Sequence, residues 1–130
     1  DNEWKIYSRN PIKPPQYIGK NAEIENSMVA EGSIIEGKVD FSVIFEDVII
    51  EEGAVVNYSI VMPGTVIKSG AVVEYAIVGE SCTVESGVSI GASPETVENR
   101  DNWGIAVIGH GQNITEGTKV LPKQMVPDIR

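Results

Sequence analysis

The feature that most constrains this chain is a spacing. Aliphatic residues recur at Ile18, Ile24, Val29, Ile35, Val39, Ile44, Ile50, Val56, Val61, Ile67, Val73, Val78, Val84 and Ile90, and from Ile44 onward the steps are 6, 6, 5, 6, 6, 5, 6 and 6. An α-helix returns its buried face about every 3.6 residues and a half-buried strand about every 2, so neither produces this pattern. Taking every third member sorts the anchors into three columns. One holds Val29, Ile44, Val61 and Val78; the second Ile18, Ile35, Ile50, Ile67 and Val84; the third Ile24, Val39, Val56, Val73 and Ile90. Within each column the spacing is 17 residues, with one coil shortened to 15. Each column is then one side of a three-sided coil stacked on its neighbours, and the predicted fold is an all-β parallel β-helix of about five to six coils. One coil alone has nothing to bury its aliphatic side chains against. Stacked coils bury one another's, at roughly 1.5–3 kcal/mol per side chain. The spacing does not set the hand of the coil.

The residues between the anchors agree. Glu51-Glu52-Gly53-Ala54, Lys68-Ser69-Gly70-Ala71 and Glu85-Ser86-Gly87-Val88 repeat one corner chemistry a coil apart. Polar residues open the corner, glycine takes the unusual backbone angle, and a small residue points back inside. Met62-Pro63-Gly64-Thr65 does the same with proline presetting the turn. Valine and isoleucine supply most of the apolar content, which favours strand over helix. After Ile90 the repeat breaks, and residues 91–106 read as a protruding loop. Spacing resumes at Ile108, Ile114 and Val120, so a last coil is expected over 107–121, closed by Pro122 and Pro127. The helix domain as a whole is predicted over 18–130. Residues 1–17 read as a linker or docking segment, or equally as a cap over the open end of the prism: Trp4-Lys5-Ile6-Tyr7 suits a short strand, and Pro11, Pro14 and Pro15 enforce an extended path into the first coil. The chain starts at Asp1 rather than Met, so a longer parent protein is expected.

Charge narrows the partners. The formal net charge is −9, and between Val39 and Asn99 ten acidic residues face a single basic one, Lys68. Such a surface repels phosphate backbones and anionic lipid, so neither nucleic acid nor a membrane is expected as a partner. The one cysteine, Cys82, has no internal disulfide partner, which suits a reducing cytoplasm. It falls four residues after Val78, in the inward slot that Thr65 fills one coil earlier, and reads as a buried structural thiol. The one histidine, His110, lies between Gly109 and Gly111 at a corner and reads as a solvated turn residue. Trp103 reads as a packing anchor for the loop. No Cys/His cluster, no Ser/His/Asp constellation and no glycine-rich phosphate loop stands out, so no catalytic or metal-binding residue is assigned.

Trp4-Lys5-Ile6-Tyr7-Ser8-Arg9-Asn10-Pro11, followed by Pro14-Pro15-Gln16-Tyr17-Ile18, resembles the linker of bacterial ADP-glucose pyrophosphorylases, the glucose-1-phosphate adenylyltransferases. Asn26-Ser27-Met28-Val29-Ala30-Glu31-Gly32, Gly37-Lys38-Val39, Ser42-Val43-Ile44 and Ile60-Val61-Met62-Pro63-Gly64 resemble the same family, and the catalytic-type subunit in particular. The resemblance implies a left-handed β-helix that docks on an N-terminal catalytic domain, helps build a homotetramer and takes part in allosteric control. It also implies that the parent makes ADP-glucose and pyrophosphate from ATP and glucose 1-phosphate with magnesium, for glycogen synthesis, while this piece alone is inactive. Family effector sites use basic residues near the domain junction and the C-terminal tail. Arg9, Lys13, Lys119, Lys123 and Arg130 have that charge and approximate location, for a small anionic effector such as a sugar phosphate. Two other readings remain: a hexapeptide-repeat acyltransferase with His110 as general base, and the C-terminal domain of another sugar-nucleotide pyrophosphorylase.

Overall fold

The structure, a computed structural model, describes residues 15–127. Among these residues eighteen short strands, numbered in chain order, wind into three parallel sheets of six. The first sheet stacks β1 (Tyr17–Ile18), β4 (Ile34–Ile35), β7 (Ile49–Ile50), β10 (Val66–Ile67), β13 (Thr83–Val84) and β16 (Asn113–Ile114). The second stacks β2 (Glu23–Glu25), β5 (Lys38–Asp40), β8 (Val55–Asn57), β11 (Val72–Glu74), β14 (Ser89–Ile90) and β17 (Lys119–Val120). The third stacks β3 (Met28–Val29), β6 (Val43–Ile44), β9 (Ile60–Val61), β12 (Ala76–Val78), β15 (Ala106–Ile108) and β18 (Met125–Val126). Every third strand pairs in parallel, so the fold is a parallel β-helix of six coils, consistent with the left-handed hexapeptide type.

The sheets are the columns of the sequence. Ile35, Ile50, Ile67 and Val84 lie in register up the first sheet, and Ile114 continues them. Val39, Val56, Val73, Ile90 and Val120 do so in the second, and Ile44, Val61, Val78 and Ile108 in the third. All of these side chains are buried. The first coil departs from the expectation: Ile18 is 44% exposed, and Ile24 and Val29 are only half-buried against the core. Among the described residues no coil lies beneath them, so one side of each side chain has nothing to touch.

Inward positions between the anchors carry small and polar groups, and each polar one is satisfied. The backbone N–H of Ser42 donates to Ser27 Oγ at 3.0 Å, that of Ser59 to Ser42 Oγ at 3.1 Å, and that of Ala76 to Ser59 Oγ at 3.2 Å. At another corner the N–H of Val48 donates to Ser33 Oγ and that of Cys82 to Thr65 Oγ1. These hydroxyls hold backbone donors that a corner would otherwise leave unpaired inside the prism. Among the described residues no buried side-chain nitrogen or oxygen lacks a partner.

The short coil has a steric basis. Where other coils place Ala54 or Ala71, the coil with two fewer residues places Gly37, and Lys38 N–H donates to the Ala54 carbonyl above it. A Cβ on Gly37 would lie 2.5 Å from that carbonyl oxygen and 2.7 Å from the Glu51 carbonyl oxygen, so the tightened corner admits no side chain.

Three boundaries differ from the sequence reading. Tyr17, expected in the linker, already pairs with Ile34 in β1. Ala106, expected in the loop, opens β15 and pairs with Ala76. Beyond residue 121, expected as the end of the last coil, β18 adds a strand that pairs Met125 with Val107 and Val126 with Ile108. Trp4-Lys5-Ile6-Tyr7 and the first prolines lie outside the described residues.

Candidate functional site

The basic residues expected near an effector do not form a cluster among the described residues. Arg9, Lys13 and Arg130 lie outside them. Lys119 is exposed on the outward side of β17, in the second sheet. Lys123 lies around the corner in a left-handed backbone conformation, its N–H donating to the Gly104 carbonyl at 2.8 Å and its Nζ reaching the Asp101 carbonyl at 3.3 Å. That lysine ties the loop to the last coil.

His110 is exposed, and its Nδ1 accepts the backbone N–H of Glu80 at 2.8 Å from the coil below. With Nδ1 engaged as an acceptor, the neutral ring carries its proton on Nε2 and keeps no free lone pair for abstracting a proton. The geometry is that of a strut between two corners and does not favour a general base. Cys82 is buried, with Sγ 3.0 Å from the Gly109 carbonyl oxygen. Among the described residues no three His, Cys, Asp or Glu side chains converge where a metal ion could sit.

The loop between Ile90 and Ala106 folds through two 3-10 turns, Pro94–Thr96 and Arg100–Asn102, each capped by a side chain: Ser93 Oγ accepts from Glu95 N–H, and Asn99 Oδ1 from Asp101 N–H. Trp103 closes it, donating Nε1–H to the Ala92 carbonyl at 2.7 Å and setting its ring edge-on against Tyr75 at 5.5 Å.

That contact is the top of a feature the sequence reading missed. Phe41, Tyr58 and Tyr75 occupy equivalent corners between the second and third sheets and stack nearly parallel, with centroids 4.9 and 4.7 Å apart. Their backbones share a left-handed conformation, with φ of 48°, 51° and 49°, as does Asn26 at the same corner of the first coil with 50°. Bulky residues rarely adopt it. The stack offsets some of that cost, since each aromatic pair contributes about 0.5–1.5 kcal/mol beyond burial. The signal was the coil period itself: these three aromatics are 17 residues apart and each precedes a small inward Ser or Ala.

The aromatic corner borders an apolar face. On the outward side of the third sheet, Met28, Val43, Ile60, Ile77, Val107 and Met125 align in one unbroken column. The second sheet's outward column instead holds Glu23, Lys38, Val55, Val72, Ser89 and Lys119. The first sheet's is apolar at Tyr17, Ile34, Ile49 and Val66, then turns polar at Thr83 and Asn113. Among the described strands, only the third sheet keeps its outward column apolar over all six.

The family and its relatives follow from comparison. Among curated proteins, a glucose-1-phosphate adenylyltransferase of Clostridium perfringens is 55% identical over 56 residues, covering 43% of this chain and 14% of the relative. The enzyme of the same name from Bacillus anthracis is 52% identical over 56 residues, covering 43% of this chain and 15% of the relative. The matched segment thus spans about a seventh of these relatives. Among solved structures, the acetyltransferase domain of PglB from Neisseria gonorrhoeae FA1090, in complex with acetyl coenzyme A, superimposes with a TM-score of 0.51 at 16% identity, over 85% of this chain and 53% of that one. That likeness is one of fold alone. The family model described as "GlmU-like, C-terminal hexapeptide" matches residues 14–109, which take in β1 to β15, and the chain belongs to that family.

Proposed function

We propose that this chain is the C-terminal β-helix of a glucose-1-phosphate adenylyltransferase, serving assembly and regulation of an enzyme that makes ADP-glucose and pyrophosphate from ATP and glucose 1-phosphate. The observation that carries this reading is the 55% identity over 56 residues to an adenylyltransferase, far above what a shared coil period requires. ATP and magnesium belong, on this reading, to the part of the parent that precedes this chain, as does catalysis. The β-helix alone gives no turnover. It supports a homotetramer and transmits a small anionic effector's binding, with Arg9, Lys13, Lys119, Lys123 and Arg130 as the basic residues to test. Of Lys119 and Lys123, Lys119 is the one whose amine faces solvent without a loop contact, and its substitution is the more direct probe. The proposed location is the cytoplasm, where this reading places the reaction.

The acyltransferase reading is the weaker one, because His110 is held through Nδ1 by a backbone donor. The test uses the full-length parent protein. ADP-glucose formation from ATP and glucose 1-phosphate with magnesium, retained after His110→Ala, is the expected result. A full-length protein that transfers an acyl group and loses that activity with His110→Ala would overturn the assignment.

A further inference from the structure

We infer that the notch left by the short second coil, at the corner between the first and second sheets, binds a neutral polyhydroxylated ligand the size of one sugar ring. The inference goes beyond the enzymatic reading and does not depend on it.

The corner supplies the first argument. In the other five coils an inner N–H at this corner donates to the carbonyl three residues back: Ala22 to Gly19, Ala54 to Glu51, Ala71 to Lys68, Val88 to Glu85 and Thr118 to Thr115, at 3.0 to 3.4 Å. The second coil reduces the corner to Glu36-Gly37, so the acceptor is lost with the two missing residues. Gly37 is buried, and among the described residues its N–H meets no acceptor. A buried backbone donor without a partner is rare, and it calls for an acceptor from outside the chain.

The missing residues also leave space. The corners of the first and third coils project past the second, and Asn21 Nδ2 donates to Glu52 Oε2 across the gap at 3.0 Å. Toward the first sheet, Tyr17, Gly19 and Lys20 wall a cavity of about 280 Å³. Toward the second, Gly37, Lys38, Gly53, Ala54 and Val55 wall one of about 390 Å³. Asn21, Glu36 and Glu52 line both. The larger lies within the range of about 300–1,000 Å³ found for small-molecule sites. A Cβ on Gly37 would strike two carbonyl oxygens, so no side chain at that position can fill the space.

Chemistry selects the ligand. Glu36 and Glu52 only accept hydrogen bonds, whereas Gly37 N–H, Lys20 and Lys38 only donate. Two carboxylates and two ammonium groups balance, so the set as a whole favours neither an anion nor a cation. A hydroxyl does both. A ring that bears several can accept from Gly37 N–H while it donates to the Glu36 and Glu52 carboxylates. Its C–H face then packs on Ala54 and Val55, the apolar wall of the larger cavity.

The test is saturation-transfer NMR on the full-length protein, with glucose and maltose as probes and glucose 6-phosphate as the charged comparison. Both neutral sugars are expected to receive magnetisation. Replacing Gly37 by Glu-Gly-Ala, the residues at 52–54 of the third-coil corner, restores a 17-residue coil and should abolish the signal. Glu36→Ala, on an exposed side chain, removes a charged acceptor and should weaken binding about tenfold. It decides the matter even if the enlarged corner does not fold. No transfer to either sugar overturns the proposal and leaves a notch that takes water only. A signal that survives either change undiminished overturns it too, since the sugar then sits elsewhere on the protein. Tighter binding of glucose 6-phosphate than of glucose, lost with the enlarged corner, overturns it in favour of an anion site.

Discussion

Ile18 and Ile50 occupy the same register of the same sheet, two coils apart, yet Ile50 is fully buried and Ile18 is 44% exposed. Residue type and strand length are alike. The difference is that Ile50 has a coil above and below, whereas no described coil lies beneath Ile18. Hydrophobic pattern thus nominates a core position in a solenoid, and stacking decides how much of it is realised.

The sharpest way to break that comparison is Ile50→Ala. Removing a side chain gripped from both sides should cost about 3–4 kcal/mol, read from urea denaturation of the purified chain. A cost no larger than that of Ile18→Ala would contradict the account. Gly37→Ala probes the tightened corner between first and third coils, where the added methyl meets two backbone carbonyls, and should destabilise by about 2–3 kcal/mol in the same assay. A neutral result would mean that the short coil relaxes freely. The hydroxyls offer a matched pair. Ser59→Ala leaves the buried Ala76 N–H without its acceptor and should cost about 2 kcal/mol, whereas Ser27→Ala, at the half-buried first coil, should cost about 1 kcal/mol because water can reach the site. Equal losses would remove the contrast between middle and end. The smallest effect belongs to Ile18→Ala, at about 1 kcal/mol or less, since roughly half of its surface is in solvent already.

The fold was legible because a 17-residue period leaves few alternatives, and even the coil after the loop was readable from Ile108, Ile114 and Val120. The last strand was not, because Pro122 and Pro127 suggested an ending, although Val126 keeps the six-residue step from Val120. The candidate surface was missed for a different reason. Attention to inward anchors passes over the residues just before them, yet Met28, Val43, Ile60, Ile77 and Val107 each precede an anchor of one column and are all apolar. Lys119 and Lys123, close in sequence and alike in charge, were separated by the corner between them, and only the path of the backbone reveals that Lys123 binds the loop.

By itself, then, the sequence determined the coil, its three sides, the position of the loop and the inward thiol at Cys82, because each follows from period and residue size. Tertiary structure alone decided three things. It left Ile18 exposed, since burial depends on what lies beneath. It stacked Phe41, Tyr58 and Tyr75 in a backbone conformation their side chains disfavour, since coils about 4.8 Å apart bring equivalent corners to ring-stacking distance. And it gathered one apolar face from residues about 17 apart in the chain, since strands distant in sequence become neighbours only when the coils stack.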